Sequence, residues 1–450
     1  MANTYYVGMR GTGDVATSER PYSWTDGYAT LYPNGDAPLT AFLSVLQSKA
    51  LVEDAIFNWW TELFPNRRAP FTAGEIFKNA ACDSAYAGSG SAGDVYYIKV
   101  TTSSIEYHKM FRPGMIVILR DSDIRCVDCR AKIIDITPCG LTGYTSTCHT
   151  FVVRLLEADD NGALDPAGAA DLQTADVMVG LGNSNAQGSN RPNALSRSPE
   201  SHYNYAQIWK TALDITRTMR KTKLRTKGAY EKMKMDSLQD HMVQMEKDLL
   251  FGIRTSNTGD NGQPEYTTGG LYEFISATGT VEDYARLAAY SGKTWKSGGK
   301  DWLDAVLKNV FSYGNSTRRV CFAGNGALIA LTQLAEATGM YQLESGQTQF
   351  GMAVRNWISP MGEILVKTHP LLSQETTTQY DMIIFDPDQL VYRYIDDTFF
   401  KPGNQERESQ GDGPDATQEE WVTEAGLECH FTETAAYLQG VGQDNDIVVA

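Results

Sequence analysis

The feature that most constrains this chain is an extended segment that leads, through a short basic connector, into one long amphipathic helix. From Trp209 apolar and polar side chains alternate, which is the period of a half-buried strand. From Ala229 the apolar residues recur at the 3-4 spacing of a helix that packs along one side; they are Met235, Leu238, Met242, Met245 and Leu249. A helix over 229–250, ended by Gly252, would be about 36 Å long. Such a shape favours contacts between subunits over catalysis.

Three motifs in and around this segment carry a family resemblance. They are YNYAQI at 203–208, MEKDLLFG at 245–252 and TGGLYEFI at 268–275, preceded by PLTAFL at 38–43 and VMVG at 177–180. In this order the motifs resemble a family of major capsid proteins of tailed bacteriophages, which have the Hong Kong 97-type shell fold. One departure is Gln187 before Gly188, where the family often has glutamate. The resemblance covers most of the chain.

The resemblance implies an α+β fold divided into five segments. They are an N-terminal arm over 1–70, an extended loop with a β-rich insertion over 71–222, a peripheral domain with the long helix over 223–315, an axial domain over 316–400, and C-terminal strands over 401–450 that return to the peripheral domain. The residues themselves support the β-rich insertion, because 94–157 holds four strand-like runs separated by Gly, Pro and Asp turns.

The implied function is structural: self-assembly into the icosahedral head that encloses packaged double-stranded DNA. The resemblance further implies hexamers and pentamers of the chain itself, together with scaffold, portal and decoration proteins as partners. We expect no catalytic residue and no cofactor. The protein is expected in the virion capsid, after assembly in the cytoplasm of the host bacterium.

Candidate contact residues between subunits lie in the arm, the extended segment and the basic connector. They are Trp59, Trp60, Tyr205, Trp209, Arg217, Arg220, Lys221, Lys223 and Arg225. The first 38 residues show no periodic apolar face, so the apolar side chains that follow, such as Leu39, Phe42 and Leu43, are expected to be covered by a neighbouring subunit. The basic connector could instead touch DNA, or be an ordinary solvated loop.

Charge and hydropathy limit the partners. The formal net charge of −16 argues against a dedicated nucleic-acid binder and leaves room only for weak, non-specific contact with packaged DNA. The sequence has no run of 18 apolar residues that would predict a membrane span. No signal peptide is recognisable either, so the protein is expected in the cytosol, where thiols stay reduced.

A metal site is the main chemical alternative. Cys126, Cys129, Cys139 and Cys148 could supply thiolates to zinc and His149 an imidazole, but only the first two cysteines have a Cys-x-x-Cys spacing. Plain reduced cysteines are the preferred interpretation, with zinc and a disulfide as alternatives. We therefore expect no metal.

Two rival functions remain open at this point. An acidic carbohydrate-active enzyme would suit the abundant Trp, Tyr and Asp, although no pair of carboxylates forms a recognisable motif. Another virion component, a decoration or tail protein, is the second rival. The long helix after an extended segment favours the shell protein over both.

Overall fold

The structure is a computed structural model. It describes residues 39–40, 43, 49–62, 67–88, 90–100, 107–122, 128–138, 148–159, 171–192, 194–222, 229–314, 316–338, 344–349, 352–402 and 416–445. The strands are β1 (Lys49–Leu51), β2 (Ile56–Thr61), β3 (Arg68–Pro70), β4 (Ile76–Phe77), β5 (Val95–Val100), β6 (Met115–Arg120), β7 (Asp128–Pro138), β8 (His149–Leu155), β9 (Val177–Asn183), β10 (Glu200–Tyr205), β11 (Gln207–Thr216), β12 (Thr255–Thr258), β13 (Pro264–Thr267), β14 (Thr280–Asp283), β15 (Arg318–Ala323), β16 (Glu344–Gln349), β17 (Met352–Ser359), β18 (Gly362–Thr368), β19 (Met382–Phe385), β20 (Leu390–Lys401), β21 (Ala416–Cys429) and β22 (Ala436–Gln439). The helices are α1 (Asp171–Thr174), α2 (Arg217–Lys221), α3 (Ala229–Phe251), α4 (Leu271–Thr278), α5 (Trp295–Val310), α6 (Asn325–Thr338) and α7 (Pro370–Gln374).

These elements form two compact units. Unit 1 comprises Met1–Thr61 and Ser201–Ala450, and unit 2 comprises Glu62–Glu200. Helices and sheets are mixed, which confirms the predicted α+β class. The five named segments predicted from the resemblance stay predictions, since the names describe positions in a shell.

The long helix α3 of unit 1 lies on a four-stranded sheet. The strand order is β1-β20-β21-β11, and β11 pairs antiparallel with β21 over its whole length. The helix spans Ala229–Phe251, as the sequence predicts. It stops at Gly252 because a Cβ there would lie 2.5 Å from the Asp248 carbonyl oxygen and 2.6 Å from that of Thr268. Only glycine allows the chain to turn so close to its own backbone.

The apolar stripe predicted along α3 is correct only in its C-terminal half. Met245 and Leu249 are fully buried, but Leu238 is half-buried and Met235 is 67% exposed. The N-terminal half contacts the sheet through polar groups instead. His241 bonds to Thr211 of β11 at 2.9 Å and to Thr423 of β21 at 2.8 Å. Met235 and Leu238 therefore leave apolar surface uncovered on the subunit.

A second sheet in unit 1 holds the other large core. Its seven strands have the order β14-β22-β19-β15-β18-β17-β16. Helices α5 and α6 pack on it through side chains such as Trp295, Trp302 and Leu331. Helix α5 begins at Trp295, and the buried Gly298 and Gly299 let its N-terminal part pack closely against Tyr284 and Trp295.

Unit 2 is a β structure with a core of its own. Its seven-stranded sheet has the order β3-β9-β6-β7-β8-β5-β4, and it buries Ile98, Val117, Ile133 and Phe151 completely. The four predicted strands of this region are confirmed as β5 to β8. None of the helices in the described part of the chain combines the length and apolar character that crossing a membrane requires.

Candidate subunit-contact surfaces

The predicted Trp59–Trp60 pair is split by strand β2. Neighbouring side chains of a strand point to opposite faces, and the burial of β2 alternates accordingly. Trp59 is buried in its own subunit, with its ring 5.9 Å from that of Phe274 and 6.0 Å from that of His202. Trp60 is 65% exposed. Trp59 is therefore a core residue, contrary to the prediction, and Trp60 alone offers contact area.

Tyr205 lies in an aromatic patch on the strand β10 side of unit 1. Its ring stacks on Tyr266 at 5.0 Å and meets Tyr203 at 5.6 Å. Arg254 covers Tyr203 at 4.8 Å and is held by an ion pair with Glu273 at 2.9 Å. Tyr205 is half-buried and Tyr203 is exposed. This patch gives a contact candidate that is rigid before any partner arrives.

Trp209, another predicted contact residue, is buried. Its indole Nε1 donates to the Asp248 carboxylate at 2.7 Å, and Gln207 Nε2 donates to the same oxygen at 2.8 Å. The strand alternation that places Trp209 under α3 was visible in the sequence. Its role is to fix α3 on β11, so the prediction that it contacts another subunit is wrong.

The basic connector begins as the short helix α2. Thr216 caps it by accepting a hydrogen bond from the Met219 N–H, and Arg217, Arg220 and Lys221 are exposed. Arg220 lies over the Tyr230 ring at 5.2 Å. The other two predicted residues, Lys223 and Arg225, lie outside the described residues. Helix α2 thus presents positive charge at the end of β11.

Leu39 and Leu43 are covered by their own subunit rather than by a neighbour. Both are fully buried in the first core of unit 1. The Glu246 carboxylate, itself buried, accepts hydrogen bonds from Leu39 N at 2.6 Å, Thr40 N at 2.9 Å and Thr40 Oγ1 at 2.6 Å. His369 Nε2 lies 2.9 Å from the same carboxylate. The prediction for these leucines is therefore wrong, and Phe42 lies outside the described residues.

An acidic groove lies at the start of β11. It has a volume of ≈ 600 Å³ and runs between the β12–β13 hairpin and the first residues of β11, with Glu424 of β21 on its wall. Asp260 and Glu265 of the hairpin line it as well. Burial raises the pKa of Glu424, and the charge of Asp396 adds to the rise. No local pattern in the sequence indicates this groove, because its lining residues come from three distant segments.

The cysteines divide into two kinds. Cys82, Cys129, Cys321 and Cys429 are thiols, and burial raises the pKa of the Cys82, Cys321 and Cys429 thiols. Cys148 is disulfide-bonded, with its partner outside the described residues. The expectation that all cysteines are reduced is wrong at Cys148, since that argument rested on compartment and not on geometry. A sulfur in a disulfide is no thiolate, so the four-cysteine zinc site could not form in this state.

The comparison with protein families decides the identity. The model of the SU10 major capsid protein family matches residues 31–442. The chain belongs to the SU10 major capsid protein family. A curated relative, the major capsid protein of Pseudomonas phage PaMx41, is 23% identical over 287 residues, which cover 61% of this chain and 68% of the relative. The resemblance to the major capsid proteins of tailed bacteriophages is thereby confirmed.

Several solved structures are similar to this chain. They include a structure of Microbacterium phage Oxtober96, with a TM-score of 0.41, 8% identity and coverage of 95% of this chain and 98% of that one. The capsid of a native GTA particle gives a TM-score of 0.41, 8% identity and coverage of 95% and 97%. The SrpI encapsulin of Synechococcus elongatus gives 0.37, 11% identity and coverage of 55% and 77%.

Family membership assigns a structural role to the chain. It is a major capsid protein of a phage, and nothing in the comparisons favours the rival enzyme, decoration or tail functions. The surfaces available for that role within the described residues include Trp60, Ile253, the Tyr203–Tyr205 patch, the exposed half of α3, helix α2 and the acidic groove.

Proposed function

We propose that many copies of this chain close into the icosahedral head of a tailed phage, as hexamers and pentamers, around packaged double-stranded DNA. The observation that carries the proposal is the family match over residues 31–442 of the 450-residue chain. It is supported by large apolar side chains that the subunit leaves exposed, above all Trp60, Met235 and Ile253. Exposed apolar area of this kind is what neighbouring subunits can cover.

We further propose that unit 2 is the β-rich insertion of an enlarged extended loop. It covers most of the predicted segment 71–222, although strands β10 and β11 pack in unit 1. Its own hydrophobic core supports independent folding of this unit. Scaffold, portal and decoration proteins complete the proposed set of partners, with assembly in the host cytoplasm.

Contact with the packaged DNA is proposed to be weak. The net charge of −16 disfavours adsorption of a polyanion, and helix α2 is a small exposed basic element within the described residues. We expect weak DNA binding by dissociated subunits that is lost as salt rises from about 50 to about 200 mM. Salt-resistant binding in a filter assay would contradict this part of the proposal.

Electron microscopy of the expressed protein tests the proposal, with the protein alone and together with the scaffold candidate of its phage. Closed polyhedral particles that sediment as one species are the expected result. Discrete small oligomers or tubes under every condition would contradict the proposal and would favour a decoration or a tail protein instead.

A further inference from the structure

Strand β11 has a long free edge. It is the outer strand of its four-stranded sheet and pairs with β21 over ten consecutive residues without a bulge. Its other edge pairs with no strand in the described part of the chain. The strand has neither proline nor glycine. The opposite edge of the same sheet is less open than the β11 edge. There, β1 covers part of β20, and β20 carries two register shifts.

A free edge of this length is a template for strand addition. Bulges, prolines, short strands and charged side chains are the usual means by which a subunit protects such an edge, and of these β11 has only the charged Lys210 and Asp214. In a protein that assembles from copies of itself, the most abundant partner for the edge is the same edge of a second copy.

We propose that two copies of this chain join β11 to β11 in antiparallel orientation, about a two-fold axis at Ala212. This inference rests on the proposed shell function and specifies one of its contacts. The register is constrained by geometry. Backbone groups of a strand point to one edge at every second residue only, so two identical edges must pair residues separated by an even number. Pairing centred on one residue meets this condition, and pairing centred between two residues does not.

The charged residues of β11 select Ala212 as the centre of the pairing. It places Lys210 of each copy directly opposite Asp214 of the other, on the exposed face of the sheet. Moving the centre by one residue either way would oppose these charges to uncharged residues. Lys210 already interacts electrostatically with Glu420 and Glu424 of β21 in its own subunit, and the partner's Asp214 would add a third carboxylate beside it. Opposite charges directly across an antiparallel pair stabilise it.

The buried face is compatible with the same register. Trp209 of one copy comes opposite Ile215 of the other, an aromatic and β-branched pair of the kind that stabilises antiparallel sheets. Both residues are already buried in their own subunit. Helix α3 contacts both strands of this half of the sheet: Tyr230 donates a hydrogen bond to Glu419 of β21, and Asp248 accepts one from Trp209 of β11.

The two ends of β11 are complementary as well. The acidic groove lined by Asp260, Glu265 and Glu424 lies at its start, and helix α2 with Arg220 and Lys221 follows its end. Antiparallel pairing brings the end of one strand beside the start of the other. Each copy's basic helix then lies next to the partner's acidic groove, at both ends of the joint.

Engineered cysteines test the register in assembled particles. Ala212→Cys places the two Cα atoms of position 212 opposite each other at about 4.5–5.5 Å, within the Cα–Cα range of about 4.4–6.8 Å that a disulfide spans. Lys210→Cys is the matched control on the same face, because position 210 faces position 214 and not itself. Under a mild oxidant we expect a covalent dimer on non-reducing gels for Ala212→Cys, and none for Lys210→Cys or the parent protein.

Charge reversal provides a second measurement that does not depend on one substitution folding well. In the Ala212→Cys background, Lys210→Glu alone or Asp214→Lys alone should lower the yield of covalent dimer about tenfold, and both together should restore it. All three positions are exposed.

The outcomes separate this inference from the proposed function. Closed shells in which Ala212→Cys gives no dimer, or no more than Lys210→Cys, overturn the β11 joint while the shell function stands. Failure of the double reversal to restore the dimer also overturns the register. A specific Ala212→Cys dimer from protein that never forms shells supports the joint and counts against the shell function.

Discussion

Replacing Glu246 with glutamine should loosen the start of the described chain from the long helix α3. The Glu246 carboxylate is fully buried and serves four hydrogen-bonding groups, of which three belong to Leu39 and Thr40 and the fourth is His369 Nε2. A glutamine side chain has the same shape but only one acceptor oxygen. Its NH₂ group therefore faces either Leu39 N and His369 Nε2 or the two donors of Thr40. At least one backbone N–H then faces a donor instead of an acceptor.

The size of the effect follows from what is lost. A hydrogen bond to a charged group contributes about 1.5–3 kcal/mol, and a buried donor left without an acceptor costs about 1–3 kcal/mol. We expect Glu246→Gln to lower the free energy of unfolding by about 2–4 kcal/mol. If the segment detaches locally, the loss cannot exceed the burial of Leu39 and Leu43, at about 1.5–3 kcal/mol each.

Urea unfolding of dissociated subunits, followed by tryptophan fluorescence, measures this loss as a lower midpoint at unchanged slope. Trypsin cleavage at Lys49 should also become faster if the segment detaches. Glu231→Gln is the matched control, since Glu231 lies on the same helix and is exposed. Equal midpoints and cleavage rates for the two variants would refute the anchoring role of Glu246.

Three further predictions follow from burial and charge. Leu249→Ala should cost about 2–5 kcal/mol of unfolding free energy by urea titration, and half-buried Leu238→Ala clearly less; equal losses would contradict the burial described for α3. Trp59→Ala should destabilise the subunit by about 3–5 kcal/mol, whereas Trp60→Ala should stay within about 0.5 kcal/mol but reduce the yield of shells by sedimentation. Burial raises the pKa of Asp381 from 3.8 to about 6, so the folded protein keeps a proton there that the unfolded chain releases. The free energy of unfolding should therefore fall as pH rises from about 4 to 6, by up to about 3 kcal/mol, and Asp381→Asn should flatten that fall in thermal melts across this range.

The sequence predicted those parts of the fold that depend on local periodicity. Alternation from Trp209 placed that strand correctly, and the 3-4 spacing placed α3 within one residue of its observed end. Periodicity failed where polar contacts replace apolar ones. The first half of α3 is held by His241 and Tyr230, which bond to strand residues far away in sequence, so Leu238 was wrongly expected in the core.

The contact surfaces were harder to predict because exposure is decided by the tertiary structure. Trp59 and Trp60 look equivalent in sequence, and only the strand pleat separates them. The anchor at Glu246 joins residues 207 positions apart, so no local pattern reveals it. The sequence hints at this anchor only through Glu246 itself, an acidic residue next to Met245 on the side of the helix that is predicted to be buried. The acidic groove had no signal, since Glu424 and the hairpin meet only after folding.

The central claim is that this chain builds the wall of a phage head, and a cryo-electron microscopy reconstruction of particles formed by the expressed protein tests it most directly. The account predicts a closed shell whose every position is filled by this chain, with Trp60 buried between copies. A reconstruction in which the chain sits only on the outside of another protein's shell, or forms an open tube, would contradict it.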